Sequence, residues 1–114
     1  MANASHGSKV RIPTPIINLN YEVLEKLGMK LNYRMPLKDF RTLAGKMKFT
    51  YEVVKNLERQ PNPTAALLVR WSQSQAKLGE EKNVTELIEM LNQMGRDDAV
   101  DLMTAHEFTG QLNF

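Results

Sequence analysis

The chain has 114 residues, 42% of them hydrophobic and 25% charged, with no cysteine and a formal net charge of +2. That is enough to close one hydrophobic core, so a single domain is expected. The missing thiol excludes a disulfide framework, a thiolate nucleophile and a cysteine-held zinc.

No apolar run reaches the roughly 18 to 20 residues needed to span a bilayer, and residues 1–18 lack the apolar stretch of a signal peptide. The expectation is a cytoplasmic protein without membrane insertion. Residues 1–59 hold 11 Lys and Arg against 5 Asp and Glu, and residues 60–114 hold 4 against 8. The halves therefore carry +6 and −4, an asymmetry that can steer a basic face to an acidic partner or to the acidic face of a second copy.

Residues 1–15 have no periodicity and include Gly7, Pro13 and Pro15; they read as a flexible arm before a domain spanning 16–106. Val23, Leu24, Leu27 and Leu31 recur at helical spacing and predict a first helix from about Leu19 to Leu31, with Gly28 in its middle. Pro36 is pre-set for a first helical turn, and Leu37, Phe40, Leu43, Ala44 and Met47 complete one face of a second helix to Met47. Thr50 is placed to cap a third, short helix lined by Tyr51, Val54 and Leu57 and stopped by Pro61.

Asn62 and Pro63 repeat the grammar of cap and first turn for a fourth helix to about Gln75, which carries Leu67, Leu68 and Trp71 inward. Residues 76–82 read as a polar loop. Asn83 with Glu86 three residues on predicts a capping box, and this reading takes precedence over the formal glycosylation sequon at Asn83 to Thr85. Val84, Leu87, Ile88 and Leu91 give the fifth helix its stripe, and Gly95 ends it in a left-handed conformation. Asp97 and Asp98 open a sixth helix that runs to about His106, favoured there by the helix dipole. Residues 107–114 are expected to fray, extend briefly or begin a linker, and no stretch alternates long enough to predict a strand. The pattern is all-α, six short helices joined by tight turns.

Chemistry is sparse. His6 and His106 stand at no metal-ligand spacing, no serine sits in a nucleophile elbow, and no Gly-rich loop follows a strand. The expectation is therefore no enzyme, no cofactor and no metal. Glu80-Glu81 and Asp97-Asp98 read as loop and helix-start charges, not as a general acid and base. Met47 and Met103 fall on core faces. Lys26, Lys30, Arg34, Lys38, Arg41, Lys46 and Lys48 concentrate around the first two helices, but no helix has the dense basic and amide face of a base reader, so nucleic acid is not expected. On the third helix Tyr51, Lys55, Glu58 and Arg59 form either an aromatic anchor with charged neighbours or a half-buried ring with solubilising charges. Arg96 beside Asp97 and Asp98 exceeds what a helix cap needs.

Residues 39–58, 62–71 and 83–103 together resemble a death domain of the Toll and interleukin-1 receptor pathway. The most specific parts are Phe49 to Tyr51, Asn62-Pro63-Thr64 before a leucine pair and Trp71, and Gly95-Arg96-Asp97-Asp98. Phe40 stands where members often carry tryptophan, and the loop from Gln75 to Lys82 is longer than usual. The resemblance covers roughly residues 16 to 106. It implies a six-helix antiparallel Greek-key bundle that acts as a signalling adaptor, stacks on its own kind through asymmetric contacts, and recruits interleukin-1-receptor-associated kinases. The alternative is the death domain of such a kinase. Carried onto this chain, Tyr51 and Lys55 would meet the corner at Pro61 and Asn62 of a neighbour. Ser72 and Gln73 would meet Arg96, Asp97 and Asp98 of another, and Arg41 would serve a third contact. Toll and interleukin-1 receptors would be reached through a separate domain absent from this chain, which would then be a fragment of a longer adaptor.

Overall fold

The computed structural model describes residues 9–73 and 82–113. Strand β1 (Lys9–Pro13) and a single 3-10 turn (Ile16–Asn18) precede α1 (Tyr21–Leu31), α2 (Phe40–Lys46), α3 (Tyr51–Leu57), α4 (Pro63–Gln73), α5 (Val84–Gln93) and α6 (Asp97–Thr104), with strand β2 (Phe108–Asn113) last. Helix α1 packs on α4 and α6, α2 on α4 and α5, α3 on α4, and α5 on α6. The six helices enclose one core, and the all-α reading holds.

Most of the core comes from the residues the periodicity selected; Ile16 and Met94 join it unforeseen, and Tyr51 of the third helix's stripe lies outside it. Leu27, Leu31, Leu43, Leu67, Leu68, Leu87, Leu91 and Met103 are fully buried, with Phe40 and Trp71 the large rings among them. Met47 packs against this cluster from its edge. Caps close the helices as their sequences dictate. Asn20, Asp39, Thr50 and Asn83 each accept a backbone N–H from the first turn of α1, α2, α3 and α5, and Glu86 returns the bond to Asn83 to complete a capping box. Gly95 adopts φ +74°, Gly95 N donates to Asn92 O and Arg96 N to Leu91 O, the paired bonds of a Schellman ending.

Two expectations are corrected. The second helix begins at Phe40, not at Pro36. Pro36 instead occupies the second position of a turn closed by Lys38 N donating to Met35 O at 2.8 Å, with Leu37 in the third position at φ +65°. Proline favours both settings, and Asp39 decides between them. The buried Asp39 carboxylate accepts from Arg41 N at 3.0 Å and from Met35 N at 2.9 Å, which fixes the helix start after the turn. Leu37 is consequently 78% exposed instead of facing the core. Its left-handed backbone costs roughly 1 to 2 kcal/mol for a residue with a Cβ.

The second correction concerns the chain ends. Lys9–Pro13 and Phe108–Asn113 pair antiparallel, Val10 opposite Leu112 and Ile12 opposite Gly110, with an irregularity at Pro13 where a ladder donor is missing. Thr14 then stitches the ribbon to the bundle: its N–H donates to Glu107 O and its carbonyl accepts from Val84 N, each at 2.8 Å. Each strand is too short to register as an alternating pattern, and its partner lies at the far end of the chain. The remainder of the expected arm, residues 1–8, and most of the polar loop with Gln75 lie outside the described residues.

Candidate protein-interaction surfaces

The first surface is the outer face of α3. Thr50 caps the helix, so Tyr51 falls at its first position, where the side chain points off the bundle and is 74% exposed. Lys55, one turn on, places its ammonium 5.4 Å from the ring centroid and donates to Glu58 at 3.2 Å. Glu58 also accepts from Arg41 Nε of α2 at 2.6 Å, and Arg41 Nη1 reaches the Asp39 cap at 3.2 Å. The bond from Arg41, then that from Lys55, holds the Glu58 carboxyl below its ordinary range, so it stays ionised. Arg41, expected in a contact separate from that of Tyr51 and Lys55, is thus joined to them through Glu58 in one continuous face. Arg59 lies exposed beside them at the end of α3.

The second is the corner before α4. Pro61 is exposed, whereas Asn62 is half-buried and fully engaged. Its Oδ1 accepts from Ala65 N at 3.1 Å and from Asn32 Nδ2 at 3.0 Å, and its Nδ2 donates to Leu24 O at 3.4 Å. Asn32 in turn accepts from Thr64 N at 3.0 Å and Thr64 Oγ1 at 2.6 Å. Two asparagines, 30 residues apart, together satisfy the first donors of α4 and tie it to α1. Of this corner, Pro61 is the residue presented outward.

The third lies between α5 and α6. The Schellman ending turns the chain so that Arg96 points inward, where it is 6% exposed. Its Nη1 donates to Lys38 O at 2.7 Å and its Nη2 to Lys30 O at 2.8 Å. The guanidinium also forms a two-point pair with Asp98, Nε to Oδ1 at 3.0 Å and Nη2 to Oδ2 at 2.8 Å. These bonds from Arg96, opposed by partial burial and aided by Ala99 N, pull the Asp98 carboxyl down to about 2. Arg96 is therefore the bolt of this corner, and its outward groups are Asp97 and the exposed side of Asp98. Ser72 and Gln73 end the described part of α4. The Ser72 hydroxyl donates to Val69 O at 2.7 Å, and Gln73 is exposed beside Val69, itself 47% exposed.

An open groove of about 1000 Å³ between α1 and α6, not expected from the sequence, is lined by Met29, Tyr33, Met35, Asp98 and Asp101. Its one sequence signal was Met29, an apolar residue off the Val23, Leu27 and Leu31 stripe. Among the described residues no group of three or more His, Asp or Glu side chains could hold a metal ion, and no helix is long and apolar enough to cross a membrane.

Charged and aromatic groups held outward on a rigid helical core suit recognition of another protein surface. The family model described as "Death domain" matches residues 24–107, a span that runs from α1 through α6. Death domains are non-catalytic modules of signalling proteins that bind other death domains, and this chain belongs to that family.

Proposed function

We propose that this chain is the amino-terminal death domain of the myeloid differentiation primary response adaptor of Toll and interleukin-1 receptor signalling. In this reading it is a cytoplasmic scaffold that self-assembles through asymmetric contacts and recruits the death domains of interleukin-1-receptor-associated kinases. Receptors engage it through a domain this chain does not contain.

The observation that carries the reading is the α3 face. Tyr51 is 74% exposed yet backed by Lys55, Glu58 and Arg41 in one chain of charge-assisted bonds. A large ring presented to water beside a cation is an anchor for a partner. In this reading Tyr51 and Lys55, with Arg59 beside them, face the Pro61 and Asn62 corner of a neighbour, Ser72 and Gln73 face Arg96, Asp97 and Asp98 of another, and Arg41 serves a third contact. Asn62 and Arg96 act there by shaping the corners that Pro61 and Asp97 present. Contacts between two different patches continue head to tail and need not close, the requirement for a nucleating array. Light scattering of the purified chain mixed with a death domain of such a kinase tests the reading. Co-assembly that Tyr51→Ala abolishes supports it, and a mixture that scatters as its separate components contradicts it.

A further inference from the structure

Two helices of this bundle end in the same motif with different residues at its left-handed position. After α5, Gly95 at φ +74° closes the paired bonds from Gly95 N to Asn92 O and from Arg96 N to Leu91 O. After α2, Lys48 N donates to Gly45 O at 2.9 Å and Phe49 N to Ala44 O at 3.0 Å, and the residue held at φ +69° is Lys48. Glycine takes that conformation freely, whereas a residue with a Cβ is strained there. The lysine side chain returns nothing to the fold. It is exposed, and among the described residues it forms no ion pair within 4 Å and no hydrogen bond.

The cations around it are engaged. Lys46 donates to Gln93 Oε1 at 3.2 Å, and Arg41 and Lys55 are both bound to Glu58. Lys48 therefore presents an uncommitted ammonium three residues before Tyr51, with at most about 11 Å of chain between the two Cα atoms. Strain kept at a residue with no partner inside the molecule points to a contact outside it.

The complementary charge lies on the helix that borders the Pro61 and Asn62 corner. Along α1, Tyr21, Glu25, Gly28 and Asn32 follow at four-, three- and four-residue spacing and share one stripe. Two members of that stripe meet Asn62, Asn32 by its hydrogen bond and Gly28 by close approach. Glu25, a turn before Gly28, is exposed, and the Tyr21 hydroxyl donates to its Oε2 at 2.8 Å, which orients the carboxylate. Glu22 is taken up by Lys26 at 3.7 Å, so among the described residues Glu25 is the α1 carboxylate without an ion pair.

We infer that Lys48 is a specificity-determining contact residue and that its partner is Glu25 of a neighbouring copy of this chain. This rests on the proposed contact between the α3 face and the Pro61 and Asn62 corner, and adds the charge pair that fixes its register. Tyr51 is the aromatic anchor, and the ion pair beside it selects the neighbour. Such a pair at the rim of a contact adds modest affinity but penalises a wrong surface that carries the same charge there. A lysine then stands where folding alone favours glycine.

Static light scattering of the full chain over a concentration series, with melting temperatures measured alongside, tests this. Lys48→Gly is the informative variant, because its stability and its assembly should move in opposite directions. The melting temperature should hold or rise, while the concentration at which particles form increases about fivefold. Lys48→Glu and Glu25→Lys should each raise that concentration at least about tenfold through like-charge repulsion, and the double variant should return it to within about twofold of the wild type. Wild-type assembly by Lys48→Gly overturns the inference, as does a double variant no better than either single one. A lowered melting temperature in Lys48→Gly would give the side chain a role in the fold and overturn it as well. If Tyr51→Ala assembles like the wild type, the α3 contact and the charge pair both fall; if Tyr51→Ala stays monomeric while the Lys48 variants assemble normally, the charge pair alone falls.

Discussion

Gly28 and Asn62 meet across the contact between α1 and α4 so closely that a Cβ on Gly28 would lie 2.5 Å from Asn62 Oδ1 and 2.8 Å from its Nδ2. Asn62 cannot swing away, because it caps α4 and bonds Asn32 and Leu24 in the same position. The glycine in the middle of α1 is the space in which α4 is capped.

Gly28→Ala should therefore lower stability by about 1 to 3 kcal/mol, the range for overpacking a filled site. Gly45→Ala is the control. Nothing lies within 4 Å of a Cβ there, and the change should leave stability unaltered or raise it by about 0.4 to 1 kcal/mol. Denaturant midpoints of both variants check the pair.

Arg96→Met removes the donors of two buried carbonyls and the partner of Asp98 in one step. A loss of about 3 kcal/mol is expected from the charge-assisted bonds alone. Asp97→Lys, at an exposed position one residue on, should cost less than about 1 kcal/mol. Thermal unfolding separates the bolt from its outward neighbour.

Asp98 gives the corner a pH dependence of known sign. Its carboxyl titrates at about 2 in the fold, below the ordinary value of 3.8, so its contribution is present above about pH 4 and is lost as pH falls toward 2. With the side chain 48% exposed, solvent screening holds the contribution to about 1 kcal/mol. Denaturant titrations of the wild type and Asp98→Asn should differ near neutrality and converge at about pH 2. A gap that persists at low pH would contradict the assignment.

Trp71→Ala should cost about 3 to 5 kcal/mol, since the ring is 3% exposed and sits in the core cluster. Circular dichroism at rising temperature measures it. An unchanged midpoint would place the ring outside the core.

What could be read in the sequence was what neighbours along the chain decide. Asn83 and Glu86 are three residues apart, Gly95 stands just past the Met94 C-cap of its helix, and the apolar stripes repeat within one or two turns. What could not be read depends on distant partners. Pro36 fits a helix start and a turn equally well until Asp39 folds back onto Met35 N. Arg96 beside two aspartates looks like a surface charge until it meets carbonyls 58 and 66 residues away. The β1 and β2 ribbon joins residues 95 or more apart that have no local strand signal. The same holds for the interaction residues: Tyr51 was visible as a capped aromatic, but only the fold joined it to Arg41 through Glu58.

The central claim is that the exposed face of α3 drives assembly while the core merely holds it. Static light scattering of the purified wild-type chain beside Tyr51→Ala, across a concentration series, tests it most directly. The wild type should form particles that grow with concentration, and Tyr51→Ala should remain monomeric with an unchanged melting temperature, because its ring is 74% exposed. Particles of equal size from both proteins would contradict the claim.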